Sequence, residues 1–285
     1  MAQNEIKSDN VYGRKFDHIT EFYDYLSNGE RQQPWRDHYT ESSKDGSHSW
    51  TGTRSYEEAS DLLLHGDPDA KRRIDERGVA NMLTKVNHME KQRNTYLSPC
   101  GFLPHVPNFL AGRPNSMIAE RMELKRKRVL TVCYNVAALG GEDASEMQQV
   151  ASDVLSAILK IESGGVRVNL WAVAISSSRN AMREKDYVCT AVKIKDSNQH
   201  IDLLKMAYPL THPSMFRRHV FKFREVLPGL PSHFAPGYGC TEQYGDRMAQ
   251  CVKHLGIQAD AVLGFYMCRG WSYEQIIEKI TGSNK

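Results

Sequence analysis

The stretch Phe216-Arg217-Arg218-His219-Val220-Phe221-Lys222-Phe223-Arg224 sets four cations among three phenylalanines. Cations follow phosphates and aromatic faces stack on bases, so this mixture suits a single-stranded nucleic acid, each stacked base contributing roughly 1–3 kcal/mol. A second cluster, Lys125-Arg126-Lys127-Arg128, ends the run Met117 to Arg128. The candidate nucleic-acid contacts are therefore Lys125, Arg126, Lys127, Arg128, Arg217, Arg218, Lys222 and Arg224. A second reading of the later cluster stays open. On a helix, Phe216, Val220 and Phe223 share one face at core spacing, which leaves Arg217, Arg218, Lys222 and Arg224 on a solvated face.

Charge is distributed unevenly. Residues 71–93 hold seven Lys+Arg against three Asp+Glu, residues 113–128 six against two, and residues 217–224 four against none. The whole chain of 285 residues carries only +3, so the remainder is net acidic. Those three segments form one basic surface only if the fold brings them together.

Other chemistries find less support. Gly140-Gly141 lies between a strand and a helix N-terminus, where phosphates often bind. It lacks the spacing of a phosphate-binding loop, and Glu142 and Asp143 would repel an anion, so an ordinary turn and cap is expected. No pair among the eleven histidines matches a zinc motif. Cys240 and Cys251 with His233 or His254 do not have convincing ligand spacing. There is no G-x-S-x-G elbow and no cysteine-nucleophile signature. We therefore expect no catalytic residue, no metal and no cofactor.

Composition agrees with an ordinary folded protein: 40% apolar and 25% charged residues exclude collagen-like, wholly disordered and disulfide-stapled chains. The six cysteines form no CxxC pair. Cys133, Cys189 and Cys268 lie in apolar runs, as buried reduced thiols do. The polar N-terminus and the absence of an apolar stretch near ~18 residues point to a cytoplasmic protein.

Several elements can be read locally. Apolar spacing over Phe16 to Leu26 predicts a helix. Ser55 with Glu58 opens another, with Ala59, Leu62 and Leu63 on its apolar face. A charged helix is expected over about 68–92, and residues 98–116, rich in proline, read as a rigid, partly buried connector. Val129 to Leu139, Val166 to Ser176, Tyr187 to Lys195 and Ala259 to Met267 read as strands. A helix capped by Asp143 joins the first two, with Met147, Val150, Ala151, Val154, Leu155, Ile158 and Ile161 on its inner face. Helical character resumes near His200 and continues from Pro213 to Val226, and Ser272 with Gln275 caps a last helix. This order predicts an α/β domain over 126–285, a mostly parallel sheet with flanking helices, preceded by a helical region over 1–125.

Strand, helix, strand, hairpin strand resembles a von Willebrand factor A-like domain. Such domains often hold a divalent metal through a D-x-S-x-S loop, and the matching positions here are Asn135, Ala137 and Leu139. The resemblance therefore implies a metal-free copy, since the hard oxygen ligands are missing. Trp50, Gly52, Ser55, Glu58-Ala59, Leu62 and Gly66, together with this domain, also resemble uncharacterised proteins of tailed bacteriophages and prophages. That likeness implies an accessory phage protein in a host cytoplasm. The expected function is a non-enzymatic factor that binds single-stranded nucleic acid and a transcription or replication protein such as a polymerase. Its protein-binding face would use Trp50, Trp35 or the sheet edges. The alternative is a protein-interaction adaptor or particle component without nucleic acid. A cryptic hydrolase would require clustered carboxylates or a metal.

Overall fold

The computed structural model describes residues 5–8, 10–32, 47–76, 89–126, 128–235 and 237–282. Its strands are β1 (Glu5–Ser8), β2 (Val11–Phe16), β3 (Met89–Ser98), β4 (Leu103–Pro104), β5 (Met117–Arg126), β6 (Val129–Asn135), β7 (Arg167–Arg179), β8 (Lys185–Lys195), β9 (Cys240–Thr241) and β10 (Ala261–Gly264). Its helices are α1 (Ile19–Asn28), α2 (Ser47–Thr51), α3 (Tyr56–His65), α4 (Pro68–Glu76), α5 (Val106–Leu110), α6 (Ala144–Ser163), α7 (Leu203–Thr211), α8 (Phe221–Val226), α9 (Gly245–His254), α10 (Phe265–Cys268) and α11 (Tyr273–Thr281). A π-helical turn, Met215–Val220, runs directly into α8.

The main sheet has the order β1-β2-β8-β7-β6-β10, and β9 adds to β7 beyond the end of β6. β6 pairs in parallel with β7 on one side and β10 on the other, and β7 pairs antiparallel with β8. Of the four strands expected from apolar runs, three are β6, β7 and β8; the run Ala259 to Met267 is strand only over β10 and turns helical at Phe265 as α10. Their continuous hydrophobicity follows from burial on both faces. On one face Val132, Tyr134, Leu170 and Ala172 pack against α6 and its neighbours. On the other, Cys133, Trp171, Val173 and Cys189 meet Met248, Cys251 and Val252 of α9. Asp143 caps α6 by accepting from the backbone N–H groups of Ser145 and Glu146, as its sequence position requires. The capping box of Ser272 and Gln275 is also present.

The first 125 residues are not a separate helical unit. β2 pairs in parallel with β8, and Phe16, Phe22, Leu26, Ala59, Leu63 and Ile74 belong to the same core as β6 and α6. Of the helix expected over 68–92, Pro68–Glu76 is α4. Its stretch 77–88 lies outside the described residues, and β3 begins at Met89.

β3 and β5 form an antiparallel ribbon ten residue pairs long, from Met89↔Arg126 to Ser98↔Met117, and β4 pairs with the end of β5. At about 3.4 Å per residue the ribbon spans about 34 Å. The connector 98–116 closes this arm, with α5 near its tip. Every residue from Arg93 to Arg121 is exposed or half-exposed.

Candidate nucleic-acid interface

The π-helical turn and α8 do not present a cationic face. Arg217, Arg218, Arg224 and Phe223 are fully buried, and Phe216 and Phe221 nearly so. Only Lys222 is half-exposed. The expectation of a solvated basic face here is corrected, because the helix is covered all round rather than along one stripe. Each guanidinium is spent on holding loops. Arg217 donates to the carbonyls of Trp50 at 2.5 Å and Glu142 at 2.8 Å, and its guanidinium lies 4.7 Å from the Trp50 ring. Arg218 donates to Thr53 Oγ1 and to the Thr53 carbonyl at 2.8 and 2.9 Å. Arg224 donates to the Tyr238 carbonyl and, at 2.8 Å, to Ser176 Oγ. Burial pulls the Arg217 pKa down to about 10 and that of Arg224 to about 9, so both remain charged at neutral pH.

Two histidines complete this interior. His219 Nδ1 lies 3.2 Å from the Tyr208 hydroxyl, and Nε2 lies 3.4 Å from Ser60 Oγ. His212 stacks on Tyr208 and accepts from the Ser214 N–H. Burial lowers His219 to about 3 and His212 to about 4.

The earlier basic cluster is placed elsewhere. Lys125 and Arg126 end β5, opposite Glu90 and Met89. Lys127 lies outside the described residues, and Arg128 is exposed with its guanidinium 3.9 Å from Asp260. This cluster precedes the N-terminal end of β6, whereas Arg217 binds the loop that follows its C-terminal end. The two clusters therefore do not form one surface. What does converge is the tail of segment 71–93 with segment 113–128, because β3 and β5 are partners. The ribbon carries exposed Arg93 and Arg121, and Arg121 lies 5.6 Å over the ring of Tyr96.

Sequence reasoning missed Arg93, Tyr96, Phe102 and Arg121. The signal lay in Arg121-Met122-Glu123-Leu124-Lys125, where charged and apolar residues alternate with the period of a strand. The connector expected to be partly buried instead exposes Phe102, Leu103, Val106, Phe109 and Leu110, the last at 80%. Clusters this apolar on a surface mark interaction sites.

A second feature lies where the sheet order reverses, the place where open α/β sheets commonly bind ligands. Beyond the end of β6, a cavity of about 360 Å³ is lined by Trp50, Leu139, Phe216, Phe221 and Tyr238, with small residues between them. Trp50 is latched there by its Nε1–H, which donates to the Gly140 carbonyl at 2.7 Å. Trp35, the other tryptophan considered for a protein face, lies outside the described residues.

Asn135 occupies the position where the resemblance would call for a metal-binding aspartate. It is buried, its Oδ1 accepts from Ala137 and Ile175 N–H groups, and its Nδ2 donates to the Glu242 carbonyl. Its amide is therefore a structural peg that ties β6 to β7 and the β9 loop. Among the described residues, no group of three or more His, Cys, Asp or Glu side chains is placed to hold a metal ion. Among the same residues, no helix is long and apolar enough to cross a membrane. Cys133, Cys189, Cys251 and Cys268 are buried free thiols, while Cys100 and Cys240 are exposed.

A family model described as "Domain of unknown function (DUF7192)" matches residues 2–273. No curated protein and no solved structure matches the chain.

Proposed function

We propose, for a chain that belongs to the DUF7192 family, a non-enzymatic role: it binds single-stranded nucleic acid along its β-arm and delivers it to a protein of the transcription or replication machinery. One observation carries the reading. The β3–β5 ribbon places exposed cations and exposed aromatic rings on a single projecting element, with Arg121 over Tyr96 and Phe102 nearby in the turn after β3. Arginine tracks the phosphates and the rings offer faces to unstacked bases. Single strands arise during transcription and replication, which is why the partner is assigned to that machinery.

The order β6-α6-β7-β8, with a hairpin after the first crossover, supports reading the body as a metal-free von Willebrand factor A-like domain. The phage-like pattern around Trp50 and Ser55 supports an accessory phage protein working in a host cytoplasm.

Fluorescence anisotropy with a labelled oligothymidylate tests this. The logarithm of the affinity should fall linearly with log salt. Arg93→Glu combined with Arg121→Glu should weaken binding and flatten the slope, each lost phosphate contact removing about 0.7 from it for a single strand. Tyr96→Ala should weaken binding roughly tenfold or more, as loss of one base stack does. Absence of binding at low salt, or indifference to both changes, overturns the reading. The second reading, an adaptor without nucleic acid, is favoured by the apolar tip. It predicts binding to a protein with no salt-dependent affinity for the oligonucleotide.

A further inference from the structure

A polar pocket of about 450 Å³ opens where β7 ends, between the start of β8 and the chain around β9. It lies at the opposite end of the sheet from the arm, because β7 runs parallel to β6 and the arm enters at the start of β6. Strand register settles which side chains share its floor. Ser177 and Arg179 fall on one face of β7, Cys240 lies opposite Ser177, and Lys185 lies opposite Arg179. The Glu242 N–H donates to the Ile175 carbonyl, which continues the pairing and puts Glu242 on the same face.

Two of these groups have unspent donors. Ser177 is only 7% exposed, yet its hydroxyl has no hydrogen-bond partner among the described residues. Buried hydroxyls are rarely left so. Arg179 and Lys185 set two cations directly opposite each other, which destabilises a ladder unless an anion lies near. Glu242 answers only one of them. Its Oε2 lies 3.5 Å from Lys185 Nζ, and its Oε1 accepts from the N–H groups of Gln243 and Tyr244. The exposed Arg179 side chain has no partner among the described residues. One guanidinium is therefore in excess beside a free hydroxyl, and together they suit a phosphate, which arginine grips with two parallel donors. The pocket is large enough for a whole small molecule rather than an ion alone. Tyr244 lines it and is 70% exposed, so its ring offers a face to a base.

We propose that this pocket holds a nucleoside monophosphate, with the phosphate between the Arg179 guanidinium and the Ser177 hydroxyl and the base against Tyr244. Glu242 does not repel it, since its charge is already met by Lys185 and two backbone N–H groups. The site is separate from the arm and does not rest on the strand-binding reading.

Cysteine protection tests the proposal. Cys240 is exposed in the pocket and Cys100 is exposed on the arm, so each thiol reports on one place. The reduced full chain is treated with iodoacetamide, and alkylation of each cysteine is followed by peptide mass spectrometry. Thymidine monophosphate should slow alkylation of Cys240 severalfold and leave Cys100 unchanged. Thymidine should not protect, and inorganic phosphate should protect only at higher concentration. Arg179→Gln should raise the protecting concentration about tenfold or more, as loss of a charged hydrogen bond does. Its side chain is exposed, so circular dichroism should not change. An oligothymidylate with a terminal phosphate separates the two sources of the group: if it also protects Cys240 the source is a strand end, and if only the mononucleotide protects the source is a free nucleotide. No protection of Cys240 at millimolar nucleotide, equal protection of Cys100, equal potency of nucleotide with either thymidine or phosphate, or protection indifferent to Arg179→Gln each overturns the proposal.

Discussion

Arg224→Ala is expected to lower the unfolding free energy by about 3–5 kcal/mol, the range seen when a buried hydrogen-bonded charge is truncated. The side chain spans from α8 to the Tyr238 carbonyl and Ser176 Oγ, and its guanidinium lies 5.3 and 5.7 Å from the rings of Phe216 and Phe221. Truncation leaves buried acceptors unsatisfied, at about 1–3 kcal/mol each, and empties the space between the rings. Arg224→Met keeps most of the volume and removes the desolvated charge, so it should cost less than Arg224→Ala. Arg113→Ala, on the exposed arm, should change stability by no more than about 0.5 kcal/mol. Urea midpoints at constant m-value measure all three. If Arg224→Ala were as mild as Arg113→Ala, the guanidinium would be solvated and residues 217–224 would present a cationic face.

Acid should destabilise the protein well above the carboxylate range. His212 and His219 are held neutral, with pKa values lowered by burial to about 4 and about 3; in the unfolded chain they titrate near 6.5. The unfolded state thus binds more protons below pH 6.5. Stability is full above that value and is lost as pH falls toward the folded pKa values. Each histidine contributes about 1.4 kcal/mol per pH unit within this window, so the pair should remove about 4 kcal/mol between pH 7 and pH 5. Asp67 and Glu58 oppose the shift of His212, and Arg73 and Arg218 reinforce it, but desolvation is the larger cause. Urea denaturation of His219→Gln across this pH range should show a slope smaller by about one proton. An unchanged slope would mean that His219 is charged in the folded protein.

These two outcomes concern residues that looked alike from their spacing and differ in what surrounds them. The helical face of Phe216, Val220 and Phe223 was legible. Spacing tells which residues share a face of a helix, but it does not tell how many faces are covered. Here α1, α3 and α7 pack around residues 215–226, and the covered arginines are tolerated because the loops at Trp50, Thr53, Glu142 and Tyr238 turn carbonyl oxygens toward them. No local pattern announces those acceptors, since they are backbone atoms brought from distant parts of the chain.

The N-terminal strand was hidden for a different reason. Val11-Tyr12-Gly13-Arg14-Lys15-Phe16 carries a glycine and two cations, which argue against a strand. A Cβ at Gly13 would meet the Cys189 carbonyl oxygen at 2.2 Å, so the glycine is required by the close approach of β8. The arm was missed because from Arg93 to Arg121 it has no buried face to print on the sequence.

Local chemistry was enough to determine the central layer. Continuous apolar runs, an amphipathic helix of regular period and paired caps are written in neighbouring residues, and β6, α6, β7, β8 and β10 follow from them. Tertiary structure alone decided which cations meet solvent and which hold the core. It buried Arg217, Arg218 and Arg224 and left Arg93 and Arg121 on a projecting ribbon. An arginine's fate depends on whether distant carbonyls or water satisfy its donors, and that choice is made only when the layers close.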